Sequence, residues 1–364
     1  MACLYFSQRY GANSASPTCL AVAEPRDPVA DLRRIAFLLE AANEPTYRVR
    51  AFRGAAATVG RIPAEELAER GRRGTLRELP GIGEVLARTV AESLRGEEPV
   101  YLRRLEATGG RPLAELGGAL LAALRGDCHV HSDWSDGGLP IREMAEAARD
   151  LGHAYLVLTD HSPSLKVANG LSAERLERQL EEVAQLNGEV APFRILTGIE
   201  VDIGPDGALD QDPELLGRLD VVVGSVHSEL RMAERLMTRR LVAALANPLL
   251  DVLGHPTGRM VAGERRRPPS TFDAEIVFAA AARFDKAIEV NARPERLDPP
   301  KRILRLAVEA GCRVAIDSDA HAPGQLAWLP YGCDRAAACG VAPGSIVNAM
   351  DADQLRAWAA SHQG

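Results

Sequence analysis

The sequence predicts an α/β protein: a distorted TIM-like (β/α)7 barrel preceded by a small all-α domain. Three observations predict it. Over residues 127–360, short apolar runs rich in Val, Ile and Leu alternate with amphipathic stretches seven times. Six of the eight histidines stand where such a run gives way to polar residues. Residues 27–108, by contrast, show helical periodicity and turn punctuation with no strand alternation.

In chain order, residues 1–26 read as a disordered leader, with neither a basic start nor an apolar core of the kind a signal peptide has. The helical domain follows in the segments DLRRIAFLLEAAN, YRVRAFRGAAATVG, PAEELAERG, TLRELPGIGEVLARTVAESLRG and VYLRRLEA. Its most specific piece is the turn Gly81-Ile82-Gly83, which feeds a helix. Glycines there let backbone approach a ligand, and a helix start offers free N–H groups to an anion. Residues 109–126 read as a linker. The strands are then GDCHVH, AYLVLTDH, RILTGIEVDI, DVVVGSVH, LLDVLGHP, KAIEVNARP and RVAIDSDAH. The helices between them include IREMAEAARDLG, SAERLERQLEEVAQLN, RMAERLMTRRLVAALAN, TFDAEIVFAAAARF and KRILRLAVEAG. Such alternation implies a parallel sheet covered by helices, and closure into a barrel gathers the chemistry at the C-terminal strand ends.

At those ends the runs deliver His129, His131, Asp136, His161, Glu200, His227, His255, Asp319 and His321. A lone histidine at a strand end is usually a hydrogen-bonded core or loop residue. An H-x-H pair such as His129 and His131 says more, because period-two geometry puts both rings on one face. Nine imidazole and carboxylate groups around one mouth exceed the about four ligands of zinc or the roughly six protein groups of looser ions. The expectation is two or three divalent ions. Imidazoles favour zinc, manganese or iron over magnesium, and manganese or zinc fits best. Two such ions clamp the attacking and leaving oxygens of a displacement at phosphorus. Lys166, Arg259 and Arg293 follow these motifs closely enough to reach phosphate oxygens, the alternative being solvated loop cations. His153 falls in a helix-to-strand connection and His362 in the tail. Cys128 alternates away from its histidine neighbours and reads as packing.

The motifs HVHSDWSDG, LTDHS, GIEVDI, SVHS, GHPTGR and DSDAH resemble the PHP (polymerase and histidinol phosphatase) superfamily over residues 127–360. Within it, DHSPSLKVANGL, RPERLD and HPTGRM are most similar to the PHP domain of bacterial family X DNA polymerases. The resemblance implies a seven-stranded barrel that hydrolyses phosphate esters. It implies a first ion on His129, His131, Glu200 and Asp319. Glu200 would bridge to a second ion on His227 and His255, and Asp136, His161 and His321 would hold a third. Glu200, Asp319, Lys166, Arg259 and Arg293 would then carry the catalysis. The order RVRAFRGAAATV, an acidic helix, then LRELPGIG resembles the small N-terminal helix-hairpin-helix domain of the same polymerases. It implies DNA held weakly by its backbone at Gly81, Ile82 and Gly83, without regard to sequence. Two departures limit what carries over. Only ATGGRPLAELGGALLAALRG separates the two domains, where those polymerases have a catalytic palm, so any polymerase or other repair activity would belong to a separate partner. All three lysines lie in the barrel, which leaves Schiff-base chemistry without a lysine amine in the helical domain.

Composition agrees with a globular chain: 364 residues, 46% apolar. The net charge of −7 divides as +3 over residues 1–126 and −10 over the rest, so binding to nucleic acid should be weak and salt-sensitive. Six cysteines without a C-x-x-C pair, and no run of about 20 apolar residues, point to a reducing cytoplasm and no membrane partner. The leading expectation is a metal-dependent phosphoesterase acting on DNA in repair, as 3′-5′ exonuclease, 3′-phosphatase or abasic-site endonuclease. Competing with it are a small-molecule phosphatase of the histidinol-phosphatase type and a non-catalytic DNA-binding accessory protein.

Overall fold

The computed structural model describes residues 26–108, 114–263 and 266–363. The expected leader therefore lies outside the described residues except for Arg26. Five helices form the front of the chain: α1 (Pro28–Ala41), α2 (Thr46–Val59), α3 (Ala64–Arg73), α4 (Glu84–Leu94) and α5 (Val100–Ala107). Asp27 caps α1 by accepting from the Val29 amide, and Gly74 ends α3 in the left-handed conformation. The apolar faces of these helices bury Leu32, Ile35, Leu39, Val49, Phe52, Leu86 and Val90 in one core.

A seven-stranded all-parallel sheet follows, in the order β1 (Gly126–Val130), β2 (Tyr155–Leu158), β3 (Arg194–Asp202), β4 (Val221–Ser225), β5 (Val252–Leu253), β6 (Ala287–Asn291) and β7 (Arg313–Asp317). The seven apolar runs of the sequence are these strands. Closure between first and last strand is thin: a parallel bridge joins Val130 to Ala320, with the His131 amide donating to the Ala320 carbonyl at 2.8 Å. The barrel is thus nearly closed and distorted, as expected. Around it run α6 (Gly118–Ala123), α7 (Ile141–Asp150), α8 (Ala173–Val190), the one-turn α9 (Pro213–Leu216), α10 (Glu234–Leu245), α11 (Ala274–Arg283), α12 (Lys301–Glu309), α13 (Leu329–Ala338) and α14 (Ala352–Ala360).

Two details differ from the sequence reading. The stretch taken as linker holds α6, whose Leu120 packs with Leu329 and Cys333 of α13 in the barrel's outer layer. The amides of Glu115, Leu116 and Gly117 all donate to the Asp334 carboxylate, so this stretch is fastened to the barrel. The tail is also structural. Val347, Leu355 and Trp358 join Cys128, Tyr155, Val157, Val223 and Ala315 in the barrel interior, and His362 sits 2.7 Å from Asp251. His362 belongs to the plug that closes the lower end of the barrel.

The helical unit packs directly on the barrel. The end of α1 meets the 3-10 turn Pro323–Trp328, which follows β7. Gly324 donates its amide to Glu40 Oε2 at 3.0 Å, and Trp328 Nε1 donates to the Ala41 carbonyl at 3.0 Å. A Cβ at Gly324 would lie 2.2 Å from the Phe37 carbonyl oxygen, so only glycine lets the two backbones touch. Burial raises the Glu40 carboxyl above its ordinary value, while Arg53, 2.5 Å away, opposes that shift.

In the largest barrel core Phe278 of α11 is fully buried among Leu241, Val277 and Ile288. Phe278→Ala is expected to lower unfolding stability by about 3–5 kcal/mol, measured by urea denaturation; a loss below about 1 kcal/mol would show that this layer collapses to refill the space.

Candidate metal centre

The nine residues named from the strand ends converge at one rim of the barrel. Their position follows from parallel topology, because every strand delivers its C-terminal residue to the same end. On β1 an irregularity does further work. Cys128 belongs to the interior cluster and Val130 to an outer one, although strict alternation would put both on one face. The register shift between Asp127 and Val130 is where the parity changes, and it turns His129 and His131 inward above Cys128. Cys128 is indeed packing, but on the inner face, a layer below the rings rather than on the opposite side.

Glu200 of β3 lies at the centre. Its Oε2 is 2.8 Å from His161 Nδ1, 3.4 Å from His129 Nε2 and 3.7 Å from His131 Nε2. Its Oε1 is 3.0 Å from His255 Nε2 and 3.4 Å from His227 Nε2. Asp319 Oδ1 stands 3.6 Å from His131 Nε2 and 3.5 Å from His321 Nδ1. Asp136 Oδ1 lies 3.5 Å from His161 Nε2 and 3.4 Å from His321 Nε2. Three overlapping groups result: His129, His131 and Glu200; His161, Glu200 and His227; and His131, Asp136, His161 and His321.

These spacings fit shared cations. Ligand atoms at about 2.1 Å from one ion sit roughly 3 to 3.5 Å from one another, and most of the distances above lie at or just beyond that range. His129 Nε2, both ring nitrogens of His131, His161 Nδ1, His227 Nδ1, His255 Nδ1 and Glu200 Oε2 are buried without a hydrogen-bond partner, a condition buried polar atoms avoid unless something else engages them. Electrostatics agrees. Burial alone would raise the Glu200 carboxyl, yet His129, His161 and His227 hold it well below its ordinary value. Burial likewise opposes charge on His129, but Glu289 and Glu200 raise it well above the usual imidazole range. His131 moves the other way, lowered first by burial and then by His321 and His161. The buried carboxylates require positive charge beside them, and divalent ions on imidazole and carboxylate donors would supply it.

Several supporting residues were invisible in the sequence. Glu289 of β6 accepts from His129 Nδ1 at 2.6 Å through Oε1, and through Oε2 it accepts from the His255 amide and, at 3.3 Å, from Asn291 Nδ2. One carboxylate thereby orients two ring-bearing residues and fixes which His129 nitrogen faces the mouth. Asp202 accepts from the His227 amide at 3.0 Å. Arg296 is the missed cation: its Nε lies 3.1 Å from Asp319 Oδ2, and both Nε and Nη1 are buried without a hydrogen-bond partner. Only its place in the RPERLD motif hinted at it.

The expected phosphate-reaching cations separate. Arg293 is at the mouth, with Nη1 donating to the Asp319 carbonyl at 3.2 Å and lying 3.2 Å from His321 Nδ1. Lys166 is exposed on the 3-10 turn Lys166–Ala168 beyond His161. Arg259 donates to the carbonyls of Arg296 and Leu297, so it braces that loop instead of facing the cluster. In the helical unit Gly81 has φ +75° and Gly83 is extended just before α4, and neither would meet an atom within 4 Å if it carried a Cβ. Ile82 is 5% exposed and anchors the turn in the helical core, so the turn offers backbone to a ligand there.

A (β/α)7 barrel with this buried set of imidazoles and carboxylates at its mouth is that of a metal-dependent phosphoesterase. The family model of the PHP domain matches residues 127–292, and that of a helix-hairpin-helix domain matches residues 25–98. The chain is 45% identical over 201 residues to the DNA polymerase/3′-5′ exonuclease PolX of Bacillus subtilis, a match covering 55% of this chain and 35% of that protein. It is 30% identical over 206 residues to a probable phosphatase of Thermoanaerobacter sp., covering 54% of this chain and 78% of the relative. A solved histidinol phosphate phosphatase of Lactococcus lactis aligns over 60% of this chain and 94% of its own with a TM-score of 0.42 and 19% identity. The chain belongs to the PHP family.

Glu289→Gln is expected to weaken divalent-ion binding by roughly 10–100-fold, measured by calorimetric titration of the apoprotein. Affinity equal to wild type would show that His129 and His255 hold their orientation without it.

Proposed function

We propose that this chain hydrolyses phosphate esters of DNA, as a 3′-5′ exonuclease, 3′-phosphatase or abasic-site endonuclease in repair, with manganese or zinc as the metal. The observation that carries this reading is the helix-hairpin-helix unit packed against the turn that follows His321, at the rim where the ligands gather. Such a unit has an open Gly81–Gly83 turn and an uncapped start of α4, suited to a phosphate backbone. Likeness to the B. subtilis protein supports the same substrate class, although the match spans about a third of that relative's length.

In this reading His129, His131, Glu200 and Asp319 would hold a first ion, Glu200, His227 and His255 a second, and Asp136, His161 and His321 a third. Ions held there supply Lewis acidity toward the phosphoryl oxygens and the attacking water. The protein's own groups do the rest. Glu200 presents Oε2 to His129, His131 and His161 and Oε1 to His227 and His255, so it would serve two of the positions at once. Arg293 and Arg296 flank Asp319 and offer guanidinium N–H groups to a phosphoryl oxygen. Lys166, exposed at the rim, can meet a flanking phosphate. Arg259 steadies the loop carrying Arg296.

A second reading, a small-molecule phosphatase of the histidinol-phosphatase type, is favoured by the similarity to probable phosphatases that the chain covers more fully. The test is manganese-dependent hydrolysis of 3′-recessed and 3′-phosphorylated DNA beside histidinol phosphate. Gly83→Glu puts a negative charge at the turn, where one repelled phosphate is worth on the order of 1 kcal/mol. It is expected to raise KM for DNA about fivefold and leave histidinol phosphate turnover unchanged, while Glu200→Gln should cost about 100-fold or more on every substrate. Preference for histidinol phosphate, with DNA turnover indifferent to Gly83→Glu, would give the assignment to the second reading.

A further inference from the structure

The three ligand groups are not braced in the same way. His129, His131 and His255 are almost fully buried, and Glu289, itself fully buried, holds two of them from within the barrel. Asp136 and His321 are the outer members, with side chains 36% and 19% exposed. Their loops are held by each other and from outside. The Gly138 amide donates to the His321 carbonyl at 2.7 Å, and the His321 amide donates to Gln325 Oε1 at 2.7 Å. Gln325 lies on the 3-10 turn that carries Gly324 and Trp328, and that turn is the docking surface for α1.

Two residues of the helical unit complete the link. Glu40 accepts from the Gly324 amide at 3.0 Å and pairs with Arg53 of α2 at 2.5 Å. Arg53 Nη1 in turn lies 3.8 Å from where a Cβ of Gly138 would stand, two residues from Asp136. From the other face, Trp328 lies 5.9 Å from the Arg293 guanidinium, which itself touches His321. The loops of Asp136 and His321 are therefore clamped between the barrel and the helical unit, and Glu40 is where the clamp closes.

Resting on the reading of the mouth as a multi-ion site, we propose that Glu40, through Arg53 and the Gly324 amide, is a positioning residue for the outer ion position formed by Asp136, His161 and His321. Docking of the helical unit then sets how tightly that position binds its ion, while the inner positions, braced by Glu289, are independent of it.

The test uses the full chain freed of metal and titrated with manganese, free Mn2+ being counted by electron paramagnetic resonance. Hydrogen exchange of residues 37–41 and 322–328 reads docking independently of metal. The variants are Glu40→Ala, Arg53→Met and Gly324→Val, the last placing a side chain where the Phe37 carbonyl stands. In each, docking protection should fall and one class of sites should weaken by roughly 10–100-fold, the tighter class staying within about twofold. Glu40→Gln, which keeps the acceptor for Gly324, should fall between these variants and wild type. Loss of docking protection with every class unchanged overturns the proposal, and so does equal weakening of all classes, which would mean general damage to the barrel. Wild type taking up fewer than two ions would instead remove the multi-ion reading, and the proposal with it.

Discussion

A carboxylate taken out of water must be met by positive charge or by donors, and Glu200 is met almost entirely by imidazoles. It is 1% exposed, with rings from β1 and from the loops after β2, β4 and β5 around it. Its height in the mouth comes from the sheet. β3 is the longest strand, pairing with β2 through Arg194–Thr197 and with β4 through Gly198–Asp202. The register thus climbs along one strand, and Glu200 stands beyond the end of β2 while still paired with Val223 of β4. The rest of the mouth is arranged about that carboxylate, with rings that present lone pairs to shared points and further carboxylates behind them.

Support for the rings is layered. Below, the parity change in β1 lets two histidines face inward over a layer of Cys128, Tyr155 and Val157. Behind, Glu289 fixes the orientation of the His129 ring and Asp202 holds the His227 backbone. Above and outside, the turn after β7 and the helical unit hold what the strands do not reach. A barrel of this kind can give rigid footing only to residues on strands or one step beyond them, so ligands farther along the loops depend on whatever packs on those loops.

Most of the architecture was legible because it rests on periodicity. Seven apolar runs became seven strands, and the amphipathic stretches between them became helices. The residues that converge at the mouth were legible because histidine is scarce and fell at equivalent positions. What escaped depends on contacts between distant parts of the chain. Glu289 lies in KAIEVNARP, where a single charge in an apolar strand has no partner visible nearby; its partners are His129 and the His255 amide. Arg259 read as a phosphate-reaching cation and Arg296 was not singled out, and only the fold shows one turned to carbonyls and the other to Asp319. The helix at Gly118–Ala123 was missed because six small and apolar residues give too short a window for a period of 3.6.

The path of the chain also imposes an order of assembly. The helical unit is built from neighbours in sequence, and such local contacts form early. The barrel cannot close until β7 meets β1, and its lower end stays open until Val347, Leu355 and Trp358 arrive. The surface on which α1 rests, Gly324 and Trp328, does not exist until nearly all of that has been synthesised. On the ribosome the helical unit is therefore made before the seven strands that build its seat, and it waits unseated while they are produced. Its seat is among the last things to be finished.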